Sequence, residues 1–330
     1  MILEDVLRIL RSSGGPVSGE NISKKLGVSR AAVWKAVEAL RSEGYIIESA
    51  PRKGYRLVAS PDVLREGEIL ACISAKAVQR RIICLDSVDS TNTECKRRAL
   101  NEDTEGLVII ADEQTGGRGR LGRSFSSPKG KGLYFSAVIK PDVGPGEVAS
   151  ITAWTGVAAC NAVEKICGVR PQIKWTNDLI LGNKKLGGIL TEMEVDVETG
   201  SIKYVIPGIG ININHSALDF PEDVRGIATS VFMETSKLTR RADLAAALIE
   251  ELDIMTSQFP KEKGKWLDQY RKDCCTTGRD VRLAYASGKT EYAFAEDIDD
   301  DFQLIIRRPD GSRQHISSAD VSVRGLWGYV

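Results

Sequence analysis

The stretch Gln114-Thr115-Gly116-Gly117-Arg118-Gly119-Arg120-Leu121-Gly122-Arg123 organises this sequence. It follows an apolar, strand-like run at 107–111 and holds four glycines and three arginines in ten residues. Glycine lets the backbone approach a ligand closely, and guanidinium groups are planar, permanently charged donors. The stretch therefore predicts a loop that binds phosphate or carboxylate.

The glycines also satisfy the GxGxxG signature of dinucleotide-binding folds, through Gly117, Gly119 and Gly122. That fold requires a helix directly after the glycines. Here the chain continues through serines, a proline and more glycines at 124–132 before a strand-like run at 133–139. We therefore reject a Rossmann unit. A solvated basic loop without a ligand is the simple alternative.

Composition limits the class of protein. The 330 residues suffice for two or three domains, and 45 Lys and Arg balance 45 Asp and Glu, so nucleic-acid binding requires a local patch. Seven cysteines without a CxxC pair argue against a disulfide framework and a zinc site. The acidic start at Glu4-Asp5 and the lack of an apolar run of about 18 residues predict a cytoplasmic protein without a membrane span.

Residues 1–60 have the pattern of a winged helix-turn-helix domain. Ser18 and Ser29 stand where N-caps are expected, ahead of a short helix and of a reader helix at 30–42, and a hairpin with a basic tip follows. Residues 1–58 contain ten Lys and Arg but six Asp and Glu, a net charge of +4. A domain that only contacts protein is the alternative. We expect DNA contacts from Ser29, Arg30, Trp34, Lys35, Arg41, Arg52 and Lys53.

The rest of the chain divides into a central domain at 61–275 and a C-terminal domain at 276–330. An irregular mixture of strand-like and helix-like runs predicts an α+β fold for the central domain. Its predicted strands are 81–85, 107–111, 133–139, 173–175, 179–181, 185–194 and 204–212, and its predicted helices are 91–101, 149–167 and 241–259. After 275, short alternating runs separated by turn residues predict a small β-barrel.

Four more stretches of the central domain carry unusual chemistry. Ser90, Thr91 and Asn92 open a helix, where serine and threonine also serve as simple caps. The segment 174–178 brings an amine, an amide and a carboxylate together, and Lys185 begins a strand that contains glycines. Glycines recur in the strand at 204–212. Because glycine weakens a packed strand, we interpret these glycines as leaving one face of the sheet bare for a flat ligand.

Together these residues resemble the bifunctional biotin protein ligases that are also biotin operon repressors. The resemblance covers the whole chain and rests on Ser90-Thr91-Asn92, Gln114, the GRGRxGR loop, KWxNDL from Lys174 and KLxGIL from Lys185. It implies a mixed sheet like that of class II synthetases and an SH3-like C-terminal barrel. It also implies that the enzyme joins biotin to ATP, with Mg²⁺, as biotinyl-5′-AMP. Biotin then passes to a lysine of a biotin carboxyl carrier domain.

The resemblance assigns roles to individual residues. Those implied for catalysis are Lys185, Arg118, Arg120 and Asp178. Those implied for biotin are Ser90, Thr91, Asn92, Gln114, Gly117, Arg118, Gly119, Arg120, Lys185 and Gly188. Those implied for ATP and the adenylate are Arg118, Arg120, Arg123, Phe125, Lys174, Asn177, Lys185 and Asn212. No metal site built by the protein is implied.

The chemistry suits these roles, because adenylation brings two anions together and fixed cations offset their repulsion. Asp178 would orient or deprotonate the acceptor lysine, with a turn cap as the alternative. Two positions depart from the family. Thr176 replaces a proline in KWxNDL, which loosens the turn, and Phe125 replaces a tryptophan, which gives adenine a smaller platform.

The same resemblance implies operator DNA as a partner and a homodimer that forms with biotinyl-AMP, because tight operator binding generally needs two helix-turn-helix units. Two other functions compete with this interpretation. One is a lipoate–protein ligase, against which the winged helix and the arginine loop argue. The other is a biotin-responsive repressor without catalysis, against which Lys185 and Asp178 argue.

Overall fold

The computed structural model describes residues 2–50, 54–74, 80–100, 104–285, 288–317 and 321–325. It shows a helix-turn-helix, a central mixed sheet with helices, and a C-terminal antiparallel sheet, which confirms the predicted fold class. Within these ranges, no helix combines the length and the apolarity needed to cross a lipid bilayer.

The N-terminal domain has a small core of its own, formed by the apolar faces of three helices. The side chains of Ser18 and Ser29 accept hydrogen bonds from the backbone N–H of Asn21 and Ala32, as the sequence predicts. Gly27 ends the second helix at φ 66°, where a side chain would be strained. Arg52 and Lys53 of the wing tip lie outside the described residues. The elements are α1 (Ile2–Ser12), α2 (Gly19–Leu26), α3 (Arg30–Ser42), β1 (Ile46–Ala50) and β2 (Gly54–Ala59).

An ionic junction connects this domain to the central one through the short helix α4 (Glu66–Leu70). Glu68 is fully buried and pairs with Arg11 of α1 at 3.0 Å and with Arg240. Arg241 is 2% exposed and donates to Asp62 at 2.9 Å and to Asp112 at 2.6 Å. This domain junction comprises Glu4, Arg11, Asp62, Arg65, Glu68, Asp112, Arg240 and Arg241.

A seven-stranded mixed sheet forms the centre of the chain. Its strands are β3 (Arg81–Leu85), β4 (Leu107–Ala111), β5 (Gly132–Ala137), β6 (Gln172–Lys174), β7 (Asp178–Leu181), β8 (Lys184–Val195) and β9 (Ile202–Asn212). Their order is β3-β4-β5-β9-β8-β7-β6, and β3 with β4 is the parallel pair. In β4, Val108 and Ile110 enter one apolar cluster while Leu107 and Ile109 enter another. The sheet is therefore buried on both faces, since successive side chains alternate.

Helices cover both faces of this sheet. The helix after β3 packs on the sheet face that carries Leu107, because its Cys95 belongs to the same apolar cluster as Leu107. The long helix after β5 packs on the opposite face, where its Trp154 belongs to the other cluster. The helices are α5 (Thr91–Ala99), α6 (Val148–Cys167), α7 (Glu222–Arg225), α8 (Val231–Thr235), α9 (Arg241–Gln258) and α10 (Lys263–Asp273). The sequence did not predict α10, which is rich in charge. Tertiary packing stabilises α10, because Trp266 stacks on Trp154 with ring centroids 4.8 Å apart.

The C-terminal sheet docks on the central domain. Its core is continuous with the central core through Val281 and Leu283, and the indole Nε1 of Trp175 donates to the carbonyl of Phe302 at 2.9 Å. Its strands are β10 (Arg279–Tyr285), β11 (Thr290–Ile298), β12 (Leu304–Arg307), β13 (Arg313–Ile316) and β14 (Val321–Gly325), in the order β13-β12-β11-β10-β14. Every pair in this sheet is antiparallel.

Candidate active site

A cavity of about 510 Å³ lies where the arginine loop, the start of α5, strands β7 to β9 and strand β10 meet. It brings together almost all of the residues predicted for biotin and ATP. Those that line it are Ser90, Thr91, Asn92, Gln114, Arg118, Gly119, Arg120, Arg123, Phe125, Lys174, Asn177, Asp178, Lys185, Gly188 and Asn212.

One part of the cavity wall is a network of neutral polar side chains. Gln114 Oε1 accepts from the backbone N of Thr91 at 2.9 Å and from its hydroxyl at 3.1 Å, and Gln114 Nε2 donates to Ser127 at 3.0 Å. The Ser136 hydroxyl lies 2.7 Å from Thr91 Oγ1 and 2.6 Å from Asn92 Oδ1. Because each group is oriented by its neighbour, the wall is a preorganised surface for an uncharged, hydrogen-bonding ligand.

Ser90 occupies the N-cap position of α5, but its side chain makes no capping hydrogen bond. It is 5% exposed and lines the cavity. This removes the simplest alternative for Ser90, in which the serine only caps the helix.

The sheet glycines Gly188, Gly208 and Gly210 line the cavity, and Gly208 and Gly210 also make room for the protein's own side chains. A Cβ at Gly208 would lie 2.1 Å from Asn92 Oδ1, and one at Gly210 would lie 2.6 Å from the Phe125 ring. Gly117 does not line the cavity, and a Cβ there would lie 2.4 Å from the Phe125 carbonyl oxygen. The close packing of the loop therefore requires glycine at position 117, and its predicted biotin contact stays a prediction.

The arginine loop is held across the cavity by side-chain hydrogen bonds. Arg118 Nη2 donates to Thr93 Oγ1 at 2.8 Å, and Arg120 Nη1 donates to Thr176 Oγ1 at 3.0 Å and to Asn177 Oδ1 at 3.1 Å. Burial lowers the pKa of Arg120 from its ordinary value. The hydroxyl and amide oxygens of Thr176 and Asn177 orient the guanidinium of Arg120, and the negative charge of Asp178 favours its protonated form.

Glu192 binds Asn92 of the cavity wall without lining the cavity itself, and the sequence did not predict this role. Its carboxylate accepts from Asn92 Nδ2 at 2.8 Å and from Lys96 Nζ at 2.6 Å, and it lies 3.6 Å from Arg118. Burial opposes ionisation, but the hydrogen bonds from Lys96 and Asn92 outweigh it, and the pKa of Glu192 falls below its ordinary value. Strand periodicity could have identified Glu192, because it lies on the same face of β8 as Gly188 and Leu190.

Lys185 and Asp178 form an ion pair in the cavity wall. Lys185 Nζ lies 2.6 Å from Asp178 Oδ1. Lys174, at 7% exposure, is the backbone partner of Asp178 in the β6–β7 pair. The predicted lysines and the predicted carboxylate are therefore adjacent, as proton transfer at a substrate amine would require.

An apolar corner completes the cavity, formed by Phe220, Val224, Ile227 and Ala228. The Phe220 ring stacks on His215 with centroids 4.9 Å apart. Both ring nitrogens of His215 are buried and have no hydrogen-bond partner among the described residues, and burial lowers the pKa of His215 to about 4, so the ring is neutral at pH 7. No sequence pattern marked Phe220, because only loop packing brings it to the cavity.

The predicted adenylate residues Phe125 and Asn212 are both tied to the protein itself. Phe125 packs edge-on against Tyr134, with centroids 6.5 Å apart. The side-chain amide of Asn212 donates to the carbonyl of Thr229 at 3.0 Å, so it holds the loop that carries the apolar corner. The C-terminal sheet adds Arg282 and Val323 to the lining, which the sequence did not predict.

On the helix-turn-helix, Ser29, Arg30, Trp34 and Lys35 are exposed, Trp34 at 54%. Arg41 is instead committed within the domain: its guanidinium donates to the Ile47 carbonyl at 2.5 Å and to Glu38 at 2.6 Å, so it anchors the wing.

Among the described residues, no three His, Cys, Asp or Glu side chains stand close enough to hold a metal ion.

Comparison with known proteins gives a matching family model within each of the three domains. Residues 84–212 match the Biotin/lipoate A/B protein ligase family, residues 2–56 match an HTH domain, and residues 276–324 match the Biotin protein ligase C terminal domain. The "Bifunctional ligase/repressor BirA" of Bacillus subtilis is 35% identical over 326 residues, which cover 97% of this chain and 98% of that protein.

The chain belongs to the bifunctional ligase/repressor family of biotin protein ligases. The Escherichia coli "Bifunctional ligase/repressor BirA" is 30% identical, with 96% of this chain and 95% of that protein covered. A solved structure of the Aquifex aeolicus biotin protein ligase, described as a complex with biotin and ATP, superposes with a TM-score of 0.63. It is 26% identical and covers 75% of this chain and 100% of that one. These relatives do not favour the lipoate ligase or the repressor without catalysis.

Proposed function

We propose that this protein adenylates biotin with ATP, transfers the biotinyl group to a lysine of a biotin carboxyl carrier domain, and represses transcription when it carries biotinyl-AMP. One observation carries the proposal: a single cavity combines a neutral hydrogen-bonding wall, an apolar corner and the cationic side chains of Arg118, Arg120, Arg123, Lys174 and Lys185.

In the first step, a carboxylate oxygen of biotin attacks the α-phosphorus of ATP, and pyrophosphate leaves. The uncharged ring system of biotin suits Ser90, Thr91, Asn92 and Gln114, whose hydrogen-bonding groups are preorganised. The reacting carboxylate and phosphate both carry negative charge, so their approach needs fixed cations. Arg118, Arg120 and Lys185 supply these charges.

The adenine base suits the apolar corner. Phe220 presents an aromatic ring there, supported from one side by His215. Phe125 is the second aromatic candidate, although its ring already fills the space above Gly210. We therefore shift the proposed adenine platform from Phe125 to Phe220, with stacking as the main attraction.

In the second step, the acceptor lysine must lose a proton before its amine attacks the biotinyl carbonyl and AMP leaves. Asp178 is the carboxylate beside the reacting groups, held 2.6 Å from Lys185. We assign it the orientation and deprotonation of the incoming ammonium, since a free lysine is protonated at neutral pH.

Magnesium fits this site only as part of the nucleotide substrate. The described residues hold no cluster of three metal-ligating side chains, and Mg²⁺ commonly binds through substrate phosphates and water. When bound, the ion would neutralise triphosphate charge. The protein's own contribution is the arrangement of arginines and lysines described above.

The ligase proposal is tested by incubating the protein with ATP and Mg²⁺ and measuring pyrophosphate release with biotin or with lipoate. Biotin-dependent release, followed by biotin transfer to a carrier domain, is expected. Release with lipoate alone would identify the competing ligase. Binding of biotin without release from ATP would leave only a ligand-responsive repressor.

The repressor proposal adds DNA and a second copy of the chain as partners in the cytoplasm. Arg30, Trp34 and Lys35 are exposed on α3, so we expect them to contact operator DNA, and a two-fold site would take two such helices. We expect biotinyl-AMP to promote dimerisation, and by linkage dimerisation to tighten adenylate binding equally. Sedimentation and operator binding with and without biotin plus ATP test this, and operator affinity that ignores the ligand would remove the repressor role alone.

A further inference from the structure

Thr176 connects the arginine loop to the turn between β6 and β7. Its hydroxyl accepts from Arg120 Nη1 at 3.0 Å, and the same guanidinium nitrogen lies 3.1 Å from Asn177 Oδ1. Asn177 is fixed in turn, because its Nδ2 donates to the Ile189 carbonyl of β8 at 2.8 Å. The loop is thus tied to the sheet through Arg120 and two neutral oxygen acceptors.

The turn that carries Thr176 is held in place without the threonine side chain. Tyr270 Oη donates to the backbone carbonyl of Thr176 at 3.1 Å. The backbone N of Trp175 donates to Thr276 Oγ1 at 2.8 Å, and its indole binds the Phe302 carbonyl. Loss of the hydroxyl should therefore leave the turn intact and weaken only the attachment of the loop, which keeps the hydrogen bond from Arg120 to Asn177.

We propose that Thr176 is a positioning residue that sets how long the adenylate is retained. It does not line the cavity, so it acts through Arg120 and not by touching the adenylate. The argument rests on the proposed function of Arg120 in closing over biotinyl-AMP. Proline, which the KWxNDL motif usually has at this position, offers no hydroxyl, so this contact depends on the threonine of this chain.

The test compares release of preformed biotinyl-AMP from full-length protein after a chase with unlabelled biotin and ATP. Thr176→Val should speed release roughly tenfold to a hundredfold, the effect of losing one hydrogen bond to a charged group. Thr176→Ser should restore release to within about twofold of wild type, because the hydroxyl returns. Thr199→Val, in an exposed turn, controls for threonine-to-valine exchange.

A double-mutant cycle separates positioning from general damage. In an Arg120→Ala background, Thr176→Val should change release by less than about twofold, because its partner is already gone. Unchanged release in Thr176→Val, or an equal effect with and without Arg120, would overturn the proposal.

A protease measurement distinguishes failure of this inference from failure of the proposed function. The Arg120–Thr176 contact exists in the protein without ligand. Trypsin should therefore cleave the ligand-free Thr176→Val variant after Arg123 faster than wild type, whether or not the protein adenylates biotin. If the wild-type protein forms no adenylate, the ligase proposal fails. The cleavage rate then tests by itself whether Thr176 positions the arginine loop. Equal cleavage would then refute the inference.

Discussion

The domain junction and the arginine loop both depend on arginine side chains, but they use them in opposite ways. Arg241 at the junction is 2% exposed and donates to the carboxylates of Asp62 and Asp112 and to the Gly132 carbonyl. Arg118 in the loop is 46% exposed and donates to a threonine hydroxyl, with Glu192 farther away at 3.6 Å. A buried charge needs full compensation, whereas a half-exposed one does not. The junction arginine therefore fixes structure, and the loop arginine keeps charge available for a ligand.

The largest expected effect is that of Arg241→Ala on stability. The substitution leaves Asp62 and Asp112 without their buried cation, which should cost about 3–5 kcal/mol of unfolding free energy. Arg118→Ala should cost less than about 1 kcal/mol, because its charge is largely solvated. Urea unfolding of the two full-length variants measures both values. Equal losses would show that the contrast between the two arginines is wrong.

Lowering the pH should destabilise the region between the domain junction and the cavity, because His215 is buried there as a neutral ring. This residue stacks on Phe220 of the cavity wall, and its neighbour Asn214 donates to Asp62 of the junction at 3.1 Å. Burial lowers the pKa of His215 to about 4, from an ordinary value of 6.5. The neutral ring thus contributes stability that is fully present above pH 6.5 and is lost as pH falls towards 4.

His215→Phe tests this assignment, since phenylalanine keeps the ring stack and cannot titrate. Between pH 7 and pH 4.5, wild type should lose about 2–3 kcal/mol more unfolding free energy than the variant. Parallel pH profiles of the two proteins would rule out His215 as the titrating group.

Within the cavity, Lys185→Ala should slow adenylate formation while leaving the fold intact. Removal of one charge-assisted contact to the reacting anions should cost about 1.5–3 kcal/mol, or roughly tenfold to a hundredfold in rate. Single-turnover pyrophosphate release measures the loss. Lys184→Ala is the matched control, because it removes a neighbouring lysine that does not line the cavity. A wild-type rate in Lys185→Ala would remove this lysine from the mechanism.

The smallest expected effect concerns the exposed face of α3. Lys35→Ala should weaken operator binding less than about tenfold and lower the slope of log affinity against log salt by about 1, as expected for one phosphate contact. Lys272→Ala, on the exposed face of α10, should change neither. An unchanged salt slope in Lys35→Ala would place the DNA contact elsewhere.

Sequence motifs and the periodicity of apolar residues predicted several local elements of the fold and the order of the domains. The caps at Ser18 and Ser29, the strands at 81–85 and 107–111, and the order of the three domains follow from local patterns, because capping and alternation act between residues close in sequence. The comparisons confirm the family and the ligase–repressor interpretation that the combined motifs indicated. The individual roles of the site residues stay predictions.

Only the tertiary structure decided which atoms share the cavity. Phe220 and Arg282 reach it from a loop and from the C-terminal sheet, and Glu192 of β8 binds Asn92 of its wall; no local pattern marked these residues as neighbours. Thr176 was expected to loosen its turn, yet folding gives its hydroxyl to Arg120, 56 residues away in sequence. The physical reason is that local patterns report a residue's own helix or strand, whereas a binding site depends on distances between segments that packing alone brings together.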